Sequence, residues 1–137
     1  ILLLRKQGGE RGERFALPGG AQETGETLQD ALNRECLEEI GSRVRIHGLV
    51  GVADYFKPRD TRPPSTRHVV EFLFECTLPG EYTPRNGQRP DKHQVEVIWA
   101  GLEGLGERVL QPASLAGVID RIQDRDRAGG VYLGSID

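Results

Sequence analysis

The chain has 137 residues, 36% hydrophobic and 28% charged, with a formal net charge of −3. That is enough for one domain around a single core and too apolar for a disordered chain. The charge excludes a domain that grips nucleic acid chiefly through a basic surface, and an anionic small ligand would need a local basic cluster or a bridging cation.

Ile1–Arg5 reads as a buried strand. Its first four residues, Ile1 to Leu4, are the longest apolar run and far too short for a signal peptide or membrane span, so no membrane partner is expected and cytoplasm is the expected compartment. The chain has no Met and begins inside that run, so a single domain over residues 1–137 is expected with a few residues ahead of Ile1. A charged, Gly-rich turn, "KQGGERGERF", follows, and "LPGG" breaks the chain. Thr27–Ile40 then runs without Gly or Pro. Thr24 or Thr27 can cap this helix and Gly41 can end it.

"VRIHGLVGVADY" reads as an extended segment bent or bulged at its two glycines. In "HVVEFLFEC" strict alternation puts Val70, Phe72, Phe74 and Cys76 on one face, and in "QVEVIWA" it does the same for Val95, Val97 and Trp99. Leu115, Val118, Ile119 and Ile122 mark an amphipathic helix. "FKPRDTRPPSTR" and "LPGEYTPRNGQRPDK", rich in Pro and Arg, read as the two long loops. The order of elements predicts an α/β or α+β layer arrangement with a mixed sheet. Cys36 and Cys76 are too few and too far apart for a zinc signature and are expected as small core residues, with a single disulfide left open.

The helix carries the chemistry. Leu28, Ala31 and Leu32 share one face, and two turns later the same face carries Glu35, Glu38 and Glu39. Acidic residues at a helix C-terminus oppose the dipole, and at these spacings they repel one another, with only Arg34 nearby in sequence. A solvated helix end is the plain alternative. A hard divalent cation explains the cluster better, because oxygen-only ligands suit Mg²⁺, Mn²⁺ or Ca²⁺. The "PGG" turn lets backbone approach a ligand closely, but it lacks the Gly-Lys-Ser/Thr of a P-loop.

These residues resemble the Nudix box, G-x5-E-x7-R-E-U-x-E-E-x-G-U with U aliphatic. Here it reads Gly20, Glu26, then Arg34-Glu35-Cys36-Leu37-Glu38-Glu39-Ile40-Gly41-Ser42. Every fixed Gly, Glu and Arg is present; Cys36 and the polar Ser42 depart at aliphatic places. "ILLLRK…FALPGG", with Phe15 where Trp is common, and "QVEVIWAGLEGL" are also similar to the family.

The resemblance implies an α/β/α sandwich with a mixed central sheet and hydrolysis of a nucleoside diphosphate linked to another moiety. It implies Mg²⁺ (or Mn²⁺) on Glu35, Glu38 and Glu39 with the Gly19 carbonyl as an extra ligand, while Gly20, Glu26 and Arg34 support the site. Glu38 or Glu39 is the first choice of base and Glu96 the outside candidate, against a solvent-facing strand reading. The partner implied is a nucleotide-derived small molecule, with no nucleic acid; a homodimer is left open.

Phe15, Tyr55, Phe56 and Trp99 are candidates to stack a base, although core packing is the expectation for Trp99. Arg59, Arg62 and Arg67 are candidates to close over phosphates. His47, His68 and His93 are assigned to structure, and Tyr132 is ambiguous. Pro58 sits where ADP-ribose-cleaving members often carry proline, and Tyr55 near a tyrosine of some dinucleoside-polyphosphate members. These cues disagree and leave the substrate open. The alternative function is a catalytically silent nucleotide sensor. A Ca²⁺-binding domain lacks the Asp-rich loop of an EF-hand.

Overall fold

The computed structural model describes residues 1–124 and 129–137. In chain order the described elements are β1 (Leu2–Lys6), β2 (Arg14–Ala16), α1 (Leu28–Ile40), β3 (Arg45–Arg59), β4 (Ser65–Thr77), β5 (Gln94–Trp99), a 3-10 turn (Leu105–Glu107), β6 (Leu110–Gln111), α2 (Leu115–Gln123) and β7 (Tyr132–Ser135). The strands form two mixed sheets, ordered β5-β1-β2-β6 and β4-β3-β7. β2 and β6 are parallel, as are β3 and β7; the other pairs are antiparallel. No helix among the described residues is long and apolar enough to cross a membrane.

Side-chain alternation along β1 divides the layers. Leu2 and Leu4 join Cys36, Ile40 and Val97 on the α1 side. Leu3 joins Phe15, Leu110 and Leu115 on the opposite side, where α2 packs. α2 presents Leu115 and Ile119 to this first sheet. It presents Val118 and Ile122 to Ala53, Tyr55 and Leu133 of the second. The helical stripe read from sequence is therefore shared between two sheets.

α1 begins where its capping chemistry says it should. Thr27 Oγ1 accepts from the Asp30 N–H at 3.1 Å, and Asp30 Oδ2 accepts from the Thr27 N–H at 3.4 Å. This is a reciprocal capping box. Gly41 ends the helix at φ +71°, a conformation glycine adopts without a Cβ penalty. Thr27→Ala is expected to destabilise the protein by about 1 kcal/mol. Urea unfolding checks this, and a change within experimental error means the cap is not felt globally.

The predicted loop at residues 56–67 is corrected by the structure. β3 and β4 stay paired to Arg59↔Ser65. Proline and arginine richness suggested a loop, yet Pro58 lies beyond the β7 pairing, which ends at Asp54↔Ser135. Its carbonyl accepts from Arg11 Nη2 on the edge away from β4, where a missing N–H costs no ladder bond. Between Ile46 and Gly48 and between Leu49 and Gly51 the register shifts, as the glycines in this strand implied.

The structure decides which face of β4 is covered. Val70 and Phe72 are 54% and 41% exposed, while Val69 and Leu73 pack inward. Alternation defines two faces, and α2 covers the face bearing Ala53, Tyr55 and Leu133. Trp99, expected in the core, is 54% exposed at the end of β5. Cys36 is buried and Cys76 partly buried, and both are free thiols.

Candidate metal centre

The apolar face of α1 carries Ala31, Cys36 and Ile40 into the core, and Glu39 goes with them at 3% exposure. Glu35 and Glu38 flank it and are only partly buried. Glu39 Oε1 accepts the Gly19 N–H at 2.8 Å. Gly19 adopts φ +145°, a left-handed-side backbone conformation that favours glycine. The neighbouring Gly20 matters in a different way: a Cβ there would lie 2.4 Å from the Glu35 carboxyl carbon and would push that carboxylate out of its present position. The two glycines of "PGG" thus receive one glutamate each.

Arg34 joins the upstream loop to the helix. Its Nε and Nη2 donate to Glu26 Oε2 and Oε1 at 2.7 and 3.0 Å, a bidentate pair. Nη1 donates to Glu35 Oε1 at 2.9 Å and to Glu38 Oε2 at 3.5 Å, and Nη2 also reaches the Ala21 carbonyl at 2.9 Å. Glu26 accepts the Glu23 N–H as well. The Arg34 hydrogen bonds, followed by this backbone bond, hold the Glu26 carboxyl below its ordinary range. The guanidinium is correspondingly raised, first by Glu26 and then by Glu35.

Glu39 is in the opposite situation. Burial pushes its carboxyl up to about 7; Asp91 and Glu35 add to the rise, while the Gly19 N–H and Lys6 oppose it. Lys6 is 9% exposed and ion-paired with Asp91 at 2.5 Å. Neither residue carried a sequence signal, since Lys6 reads as the end of a strand and Asp91 as loop.

The donor set suits a hard divalent cation. It consists of carboxylate oxygens on adjacent helical turns beside a glycine turn that leaves no side chain in the way. Among the described residues no three His, Cys, Asp or Glu side chains have closed to metal-holding distances. Arg34 takes one oxygen each of Glu35 and Glu38, Oε1 and Oε2, and makes no hydrogen bond with the second oxygen of either carboxylate.

The other candidates are dispersed. A cleft of about 1460 Å³ extends from Lys6, Gly19 and Gly20 past Trp99 to Tyr55 and Arg67. Phe15 and Tyr55 are each 5% exposed and packed in separate core clusters, with Arg108 stacked 4.8 Å over the Phe15 ring. Phe15 offers no free face to a base, and Tyr55 only borders the cleft. Arg59 and Arg67 are exposed on the β3–β4 ribbon.

Glu96 faces away from α1. It pairs with Arg5 across β1 and β5, and Arg5 Nε donates to it at 2.7 Å. His47 meets Thr77, and His93 sits beneath Gly8. His68 stacks on Phe56 and approaches Asp54 Oδ1 at 2.7 Å. Tyr132 donates to Asp54 as well, and these two contacts hold the Asp54 carboxyl below its ordinary range. Ser42 donates to the carbonyl of Arg43, a local turn contact that needs no aliphatic packing.

A glycine turn, a carboxylate-bearing helix end and mixed sheets packed against helices define an α/β domain with an acidic candidate site. The chain belongs to the Nudix family: the NUDIX domain family matches residues 1–121. It is therefore a Nudix-type hydrolase, and such hydrolases generally use divalent metal ions.

The chain is 47% identical over 119 residues to the nucleoside triphosphatase NudI of Enterobacter sp. (strain 638), covering 82% of this chain and 81% of that protein. It is 40% identical over 75 residues to an ADP-ribose pyrophosphatase of Methanocaldococcus jannaschii, covering 54% of this chain but 41% of that protein. A solved Nudix hydrolase from Nitrosomonas europaea shares the fold, with a TM-score of 0.64, 21% identity, and coverage of 98% of this chain and 69% of that one.

Proposed function

We propose that the protein is a Mg²⁺-dependent pyrophosphohydrolase that cleaves a nucleoside diphosphate linked to another moiety and releases a nucleoside monophosphate. The observation that carries this reading is the pairing of two carboxylates with two glycines. Glu39 is buried on the Gly19 N–H and Glu35 lies against Gly20, and the two glycines line a cleft of about 1460 Å³. Relatives named for nucleoside triphosphate and ADP-ribose hydrolysis support pyrophosphate cleavage as the reaction class.

In this reading Glu35, Glu38 and Glu39 hold the ion together with the Gly19 carbonyl, and Arg34 and Glu26 orient them. When bound, the cation neutralises phosphate oxygens and lowers the pKa of bound water. The chain's own part is positional. Gly20 leaves room for Glu35, the Glu26–Arg34 pair ties the loop to the helix, and Glu38 or Glu39 accepts the proton of the attacking water. Water adds at one phosphorus, the anhydride P–O bond breaks, and the other moiety leaves as its phosphate.

The test is a product screen with Mg²⁺ or Mn²⁺ over nucleoside diphosphate sugars, ADP-ribose, dinucleoside polyphosphates and nucleoside triphosphates. Nucleoside monophosphate should appear from at least one diphosphate conjugate and depend on the added ion. Tight nucleotide binding without cleavage of any substrate would instead identify a silent sensor.

A further inference from the structure

The last carbonyls of a helix lack intrahelical donors, and in α1 that end also carries three carboxylates at the negative end of the dipole. The segment from Tyr82 to Gln94, distant in sequence, supplies the donors. The Arg89 N–H donates to the Glu38 carbonyl at 2.9 Å, and the Gly87 N–H to the Glu39 carbonyl at 2.9 Å. Tyr82 Oη reaches the Ile40 carbonyl at 2.8 Å, and Arg85 Nη2 the Gly41 carbonyl at 2.5 Å. Gln94 Nε2 adds a second donor to the Glu39 carbonyl at 2.8 Å.

Two positions in this segment are specific. A Cβ on Gly87 would lie 2.2 Å from the Glu38 carbonyl oxygen, so only glycine permits the approach. Gln94 uses both ends of its amide. Oε1 accepts the Asp91 N–H at 2.9 Å, and Nε2 also donates to Asn86 Oδ1 at 3.0 Å. Gln94 is the first residue of β5 and lies opposite Lys6 of β1. One side chain therefore joins the central sheet, the loop and the backbone of Glu39, whose carboxyl is held from the other side by Gly19.

We propose that Gln94, assisted by Gly87, is a positioning residue that fixes the carboxylate-bearing last turn of α1 against the sheet and so sets the geometry in which Glu38 and Glu39 bind a divalent cation. This rests on the reading of those glutamates as ligands. Supporting groups of this kind change metal affinity without touching the metal. Glycine at 87 sets the distance between loop and helix, and the amide at 94 sets the rotation of the turn.

The experiment measures Mn²⁺ binding to the metal-free protein by the electron-paramagnetic signal of free Mn²⁺, alongside thermal unfolding and steady-state kinetics. Gln94→Ala is expected to weaken Mn²⁺ binding and lower kcat by roughly tenfold or more, with KM for the nucleotide unchanged. Gln94→Glu keeps the volume but turns the donor into a carboxylate facing the Glu39 carbonyl, and it should lose more than alanine does. A space-filling role predicts the reverse order and overturns the proposal.

Gly87→Ala should lose Mn²⁺ binding and unfold at lower temperature; should it fail to fold, the Gln94 variants carry the test. Glu39→Gln separates the two ideas. Loss of Mn²⁺ binding in Glu39→Gln, with wild-type binding in both Gln94 variants, overturns the positioning role alone. Wild-type Mn²⁺ binding in Glu39→Gln overturns the ligand reading and the positioning role with it.

Discussion

Glu38→Gln and Glu39→Gln should each reduce turnover by roughly 10²–10⁴-fold, the range associated with losing a positioned acid–base or charge-stabilising group. Both substitutions keep the side-chain shape and remove only the negative charge and the proton-accepting oxygen. Glu39→Gln retains a carbonyl oxygen able to accept the Gly19 N–H, so the turn need not move. Glu38 is less buried and touches Arg34 only at 3.5 Å, so its removal should leave the Glu26–Arg34 pair intact. Steady-state kinetics with saturating Mg²⁺, together with circular dichroism for the fold, measures the effect. Turnover at the wild-type level in both variants would remove these residues from the mechanism.

Without metal, Glu39→Gln should make the protein more stable at pH 8, the opposite of its effect on activity. The folded protein raises the Glu39 carboxyl from 4.5 to about 7, chiefly through burial. Between those values the native state binds more protons than the unfolded chain, so wild-type stability falls as pH rises through that window. Glutamine mimics the protonated form and avoids the loss. The gain at pH 8 is on the order of 3 kcal/mol; it should shrink as pH falls from 7 to 4.5 and vanish below about pH 4, where both states of the wild type are protonated. Thermal unfolding in a chelator from pH 4 to pH 8 reads it directly. A gain that does not change with pH would mean packing, and not the carboxylate charge, sets the difference. Stability forgone at a functional carboxylate is a common bargain in enzymes.

The acidic helix end also shows how far local reasoning reaches. From sequence, three carboxylates at the wrong end of a dipole had Arg34 as their one offset. In the structure Arg34 does bind Glu35 and approach Glu38, and a second group of donors from residues 82–94 covers the carbonyls beneath them. Residues 78–92 were read as a loop because they are rich in Pro and Arg, and Gln94 was read only as the start of a strand. The purpose of that segment is visible only when Gly87 meets Glu38. The β3–β4 ribbon was missed on similar grounds, because Pro58 and the arginines signal a loop unless the free edge of β3 is known. Phe15 and Tyr55 were candidates to stack a base and are core side chains. Glu96 shares a strand with the site but points to the other face of the sheet.

What the sequence determined by itself is everything that depends on spacing along one segment. The extent of α1, its cap at Thr24 or Thr27 and its Gly41 stop, the Gly20–Ser42 box and the shared face of Glu35, Glu38 and Glu39 all follow from a rise and a period set by backbone geometry; that Thr27 is the cap and Glu39 the buried glutamate came with the structure. β1, β3, β4 and β5 were legible in the same way, whereas the short β2, β6 and β7 carried no periodic signal. What only the tertiary structure decided is which face of each strand is covered, where Lys6 and Asp91 meet, and which loop satisfies the end of α1. Those outcomes depend on groups far apart in the chain. Burial raises the cost of an unpaired carbonyl or carboxylate only once the sheets and helices have excluded water, and partners are selected at that stage.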